Sequence, residues 1–162
     1  MRMLIATGVV LAGLLLVACG DDDEESNEST ATPRGTTTAA GEGTEVNVTL
    51  QEFSVIPETD TADAGEITFN VENVGPDDVH EFVIFKTDLE PDALPTVADG
   101  SVDETGEGVE LIDEIEGIPV GEAQTLTVDL EAGSYVLICN IFDEAENEAH
   151  YQEGMRTAFT VE

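Results

Sequence analysis

The residues best equipped for chemistry in this 162-residue chain crowd toward its C-terminus. Gly133-Ser134-Tyr135-Val136-Leu137-Ile138-Cys139 is an apolar run that ends on a thiol, and an acidic stretch then leads to His150-Tyr151-Gln152-Glu153-Gly154-Met155. A thiolate, a neutral imidazole and a weak thioether are the donors that a soft, redox-active metal takes. The other histidine of the chain, His80, offers a second imidazole. Together His80, Cys139, His150 and Met155 read as a donor set for a single copper ion. Beyond residue 45 the chain has one Cys, two His and one Met, and three of these four fall within the seventeen residues 139–155. Singly, each has a plainer role: a solvated His before a strand, a core Cys, a Met plugging a gap. Their joint occurrence is what points to a metal.

The elements that must position these side chains have the period of strands. Val46, Val48 and Leu50 alternate with polar residues, as do Ile67, Phe69 and Val71, and Leu126, Val128 and Leu130. Phe82 to Phe85 and Tyr135 to Ile138 are continuous apolar runs, expected of central strands covered on both faces. Thr157 to Val161 is expected to close the set. Turn residues punctuate it at Asp63-Ala64-Gly65, Asn73-Val74-Gly75-Pro76, Pro119-Val120-Gly121 and Glu131-Ala132-Gly133. This spacing predicts an all-β, Greek-key antiparallel β-sandwich over residues 45–162. Thr87 to Gly108, poor in apolar residues, reads as a long excursion, with one helical turn expected around Leu111, Ile112 and Ile115.

The pattern Gly-x-Tyr-x-x-x-Cys followed by His-x-x-x-x-Met, with an upstream His opening a strand, resembles the cupredoxin family of blue-copper proteins over roughly residues 46–162. The resemblance implies a type 1 centre in which His80, Cys139 and His150 form a trigonal set, Met155 is a long axial contact, and the exposed edge of His150 passes the electron. Two departures stand out. Ten residues, Asn140 to Ala149, separate Cys139 from His150, where the family has only a few. Four of them are acidic, so the loop is expected either to open the site or to offer a carboxylate to the metal. Glu81 stands after the first His, where Asn often braces the site, leaving Asn140 as an alternative brace.

The N-terminus reads as an export signal. Arg2, the apolar Leu4 to Val17 and Leu16-Val17-Ala18-Cys19 make residues 1–18 a lipoprotein-type signal peptide, with Cys19 the lipidated first residue. Residues 19–44 are acidic and then rich in Ser, Thr and Gly, the composition of a disordered tether. Cleavage removes Arg2 and leaves three basic residues against 37 acidic ones, 3 − 37 = −34. That charge excludes nucleic acid as a partner. It suits either life in high salt or steering toward a basic redox partner such as a cytochrome or a membrane oxidoreductase. The expected location is the extracytoplasmic face of a membrane.

Enzyme classes are disfavoured: two histidines cannot build the further His-rich sites of multicopper oxidases, and no Gly-x-Ser-x-Gly elbow or phosphate-binding glycine loop occurs. Two functions from different classes remain. One is a lipid-anchored copper electron carrier. The other is a non-redox module for copper storage or delivery, or a metal-free sandwich used in adhesion or sensing.

Overall fold

The computed structural model describes residues 43–162. Cys19, the signal peptide and nearly all of the expected tether lie outside the described residues.

Strands β1 (Thr44–Gln51), β2 (Ser54–Pro57), β4 (Gly65–Gly75) and β7 (Ala123–Leu130) form one sheet in the order β2-β1-β4-β7. The second sheet has the order β3-β11-β8-β5-β6, built from β3 (Thr61–Ala62), β11 (Arg156–Val161), β8 (Gly133–Ile138), β5 (His80–Lys86) and β6 (Glu110–Ile118). Neighbours such as β1 with β4 and β5 with β8 are distant in sequence, as in a Greek key. This is the expected sandwich, with one refinement. The β1–β4 and β11–β3 pairs run parallel: after β1 the chain turns back along β2 and crosses to the edge of the other sheet as β3, so that β4 returns beside β1 in the same direction.

Alternation decides which faces meet. Val46, Leu50, Ile67, Phe69 and Val71 are fully buried against Phe82, Ile84, Tyr135, Leu137 and Phe159 of the other sheet. Phe69 is the hub, 5.3 Å from Phe82 and 5.5 Å from Phe159 between ring centroids. The central strands β5 and β8 are covered twice, as their unbroken apolar runs require. Val83, Phe85, Val136 and Ile138 face outward and are roofed by Leu94, Val102 and Tyr151. Leu94 and Val102 come from the long excursion, which is pinned where the Tyr151 hydroxyl donates to Pro91 O (2.8 Å) and accepts from Leu94 N–H (3.1 Å).

The helical turn expected at Leu111–Ile115 is instead β6. Paired with β5, this segment buries Ile115 and Ile118 on the core side, and β-branched residues suit that pleated surface. The short strands β2 and β3 carry no alternation long enough to read, and exist because β1 and β11 offer free edges.

Candidate metal centre

Each donor reaches the same end of the sandwich by a different route. His80 opens β5 and pairs with Ile118, so its side chain enters the core at the sheet's end. Cys139 follows the last residue of β8, and its N–H donates to Met155 O (3.1 Å). His150 is delivered by structure that spacing alone did not reveal. The long acidic loop folds into a hairpin of β9 (Phe142–Asp143) and β10 (Glu148–Ala149), turned at Asn147 with φ 58°. A single helical turn α1 (His150–Glu153) follows, and Gly154 ends it with φ 128°. The hairpin returns the chain to Cys139: His150 N–H donates to Ile141 O (2.9 Å), and Met155 N–H to His150 O (3.0 Å). Extra loop length is thus absorbed in a projection, and both ends stay at the site.

His80 Nδ1 and His150 Nδ1 lie 3.2 Å apart, and Cys139 Sγ is 3.8 Å from the first and 3.4 Å from the second. One donor atom from each of these three residues falls within 4.8 Å of the others. All three are buried, and Met155, also fully buried, packs in the same core cluster as Cys139. No carboxylate joins the three-donor group among the described residues. The hairpin acids stand away from it, so neither expectation for the loop is met: the site is closed, with His150 only 1 % exposed. The exposed imidazole edge expected at His150 is covered by Phe53, whose ring meets it edge-on at 5.3 Å. Phe53 comes from the β1–β2 turn, and its carbonyl oxygen would lie 3.2 Å from a Cβ at Gly154, a tight contact at a position whose φ of 128° already favours glycine.

Electrostatics match these positions. Burial pushes the Cys139 thiol up to about 12, against the pull of the Glu81 and Ile141 N–H groups. Burial also lowers both histidines, His80 further through the neighbouring His150, so the imidazoles are neutral with lone pairs to give. A buried thiol between two neutral imidazoles is a soft donor set, and a bound cation is what would stabilise the thiolate there. The donor chemistry fits copper.

Glu81, not Asn140, links the strands around the site. Its carboxylate accepts from Asn140 N–H (2.8 Å) while its own N–H points at Cys139 Sγ (3.4 Å). Burial, with Glu114, Glu104 and Glu116 nearby, raises its carboxyl to about 7. The Asn140 side chain instead ties the excursion down, accepting from Val102 N–H and donating to Val102 O and Glu104. Behind His80 stands Glu52, which sequence reasoning missed because nothing in its local pattern marks it. Its Oε1 accepts from Asp78 N–H (2.6 Å) and Asp77 N–H (3.1 Å) and lies 3.6 Å from His80 Nε2. Burial opposes the charge on Glu52, but the N–H groups of Asp78, of Glu52 itself and of Asp77 outweigh it and hold the carboxyl below its usual range.

No protein-family model matches the sequence, and no curated protein is detectably similar to it. Solved structures are similar in fold. Reduced auracyanin from the photosynthetic bacterium Roseiflexus castenholzii superposes with TM-score 0.53 at 22% identity, covering 75% of this chain and 99% of that one. Auracyanin A, a blue copper protein of Chloroflexus aurantiacus, gives 0.50 at 16% over 74% and 99%. Reduced rusticyanin gives 0.50 at 17% over 76% and 81%.

Proposed function

We propose that this chain, which has the cupredoxin fold, is a mononuclear copper protein that carries single electrons, with His80, Cys139, His150 and Met155 as the ligands. The observation that carries this reading is the convergence of a thiol and two neutral imidazoles, all buried, at one end of that fold. Bound there, copper would supply a one-electron Cu(II)/Cu(I) couple, for which mixed thiolate, imidazole and thioether donors are a compromise.

The chain's own residues supply the rest. The backbone bonds joining Cys139, His150 and Met155 hold three donors in one unit, and the β5–β6 pairing fixes the fourth. Glu81 N–H and Ile141 N–H are aimed at sulfur and stabilise negative charge on it. Burial of all four side chains keeps out water and substrates, which favours outer-sphere electron transfer over catalysis at the metal. With His150 covered, Phe53 forms the outward edge of the site, beside exposed Val74, Val79 and Val120 at the same end of the sandwich.

For the setting, the reading is a lipid anchor on Cys19 at the extracytoplasmic face of a membrane, with residues 19–44 as spacer. The partner is a redox protein, basic on its docking face, since the chain carries a net charge of −33. The test is a visible spectrum of the copper-loaded protein beside Cys139→Ser. An intense band in wild type, absent from the variant, is expected. Copper bound without the band points to delivery, and no bound copper refutes the metal site.

A further inference from the structure

We infer that Glu52 is the outer partner of His80, a positioning residue whose carboxylate accepts a hydrogen bond from His80 Nε2–H and holds negative charge directly behind a metal ligand. The inference rests on the copper reading for the tautomer and its consequence, while the placement of Glu52 behind His80 belongs to the fold itself.

His80 is fully buried, with Nδ1 turned to Cys139 and His150, so Nε2 lies on the opposite edge of the ring. A neutral imidazole that offers the Nδ1 lone pair to a metal carries its proton on Nε2, which is then a donor. A buried donor left without an acceptor costs about 1–3 kcal/mol. Among the described residues two buried side-chain polar atoms lack a hydrogen-bond partner, His80 Nε2 and Glu52 Oε2, and they belong to this one pair of neighbours. The gap of 3.6 Å from Nε2 to Glu52 Oε1 lies just beyond a hydrogen bond, and a small movement of either side chain satisfies the orphaned donor.

Glu52 is not there by accident of a loose loop. Its side chain is only 12 % exposed, and two consecutive N–H groups, Asp77 and Asp78, grip its Oε1 from the turn that leads into His80. Carboxylate and turn are therefore one hydrogen-bonded unit, and the turn runs directly into His80. A carboxylate partner fixes the tautomer and orientation of a ligating imidazole and raises its basicity. It also places a negative charge 3.6 Å from the outer edge of the His80 imidazole. Such a charge stabilises the more positive oxidation state. Glu52 thus lowers the reduction potential and favours Cu(II) binding over Cu(I).

The experiment has two parts. Nitrogen-15 NMR of the metal-free wild type is expected to show His80 protonated at Nε2; protonation at Nδ1 instead overturns the pairing. Midpoint potentials of copper-loaded wild type, Glu52→Gln, Glu52→Asp and Glu72→Gln are then compared, the last removing the same charge from the exposed side of β4. Glu52→Gln is expected to favour Cu(I) about tenfold more than wild type, about 59 mV upward, with Glu52→Asp between and Glu72→Gln unmoved. Equal potentials for Glu52→Gln and Glu72→Gln overturn the role assigned to the charge. A wild type that shows no copper band refutes the copper reading alone, and the tautomer still decides the pairing. Should Glu52→Gln not fold, the tautomer and Glu52→Asp decide.

Discussion

At the scale of single residues, Glu81 shows how the site is held by a group that burial works against. Its carboxyl is raised to about 7 chiefly by burial, and three acids nearby add to the effect. A group whose folded pKa is raised contributes stability that is fully present below its unfolded value and lost as pH rises through the folded one. The metal-free protein is therefore expected to lose stability between pH 4.5 and about 7, read as the urea midpoint at each pH. Glu81→Gln, which cannot ionise, is expected to flatten that loss. An unchanged slope in the variant would assign it to other carboxylates. Cys139 behaves alike at higher pH, with a thiol that a bound cation would turn into a stable thiolate.

At the scale of elements, the turns at the metal end do the positioning. Asn73, fully buried at the end of β4, donates to Asp78 O and Ile118 O and accepts from Gly75 N–H, each at 2.8 Å. It joins the turn before His80 to the end of β6. Asn73→Ala leaves two carbonyls and an N–H without their partner, and is expected to cost about 3 kcal/mol, measured by denaturant unfolding. The copper band should weaken with it, since Ile118 is the register partner of His80. The β9–β10 hairpin makes the opposite prediction. Its tip, Glu144 to Asn147, is exposed, while its base bonds His150 to Ile141. Replacing these four residues by Asn-Gly is expected to leave the visible spectrum unchanged; a shifted band would make the tip part of the site.

At the scale of the whole molecule, the charge and the proposed copper ion both bear on stability. A net charge of −33 repels itself in the compact state. Raising salt from about 0.01 M to about 1 M shortens the screening length from about 30 Å to about 3 Å, so the unfolding midpoint is expected to climb across that range. A flat response would mean that the carboxylates repel one another as strongly in the unfolded chain as in the folded one. A copper ion bound to the native state adds RT ln(1 + [L]/Kd), about 4 kcal/mol at a thousandfold excess over Kd. Copper-loaded protein should therefore melt well above the metal-free form, and a chelator that competes for the ion should abolish the difference.

The sequence by itself determined the sandwich, because period-two alternation at Val46–Leu50, Ile67–Val71 and Leu126–Leu130 admits one face to a core. The double cover of β5 and β8 was legible for a related reason: an unbroken run such as Phe82–Phe85 has no polar face to expose. It also nominated His80, Cys139, His150 and Met155, since donor types are written in the residues themselves. Only the tertiary structure decided what depends on contacts between distant segments. β6 is a strand because β5 lies beside it, though its local pattern also suits a helical turn. The long acidic loop closes the site because its extra residues pair with one another as a hairpin. His150 is buried because Phe53, 97 positions earlier in the chain, is folded over it. Glu52 stands behind His80 because the turn N–H groups of Asp77 and Asp78 hold it there. Burial and second partners are properties of packed surfaces, and no local spacing encodes which surfaces will meet.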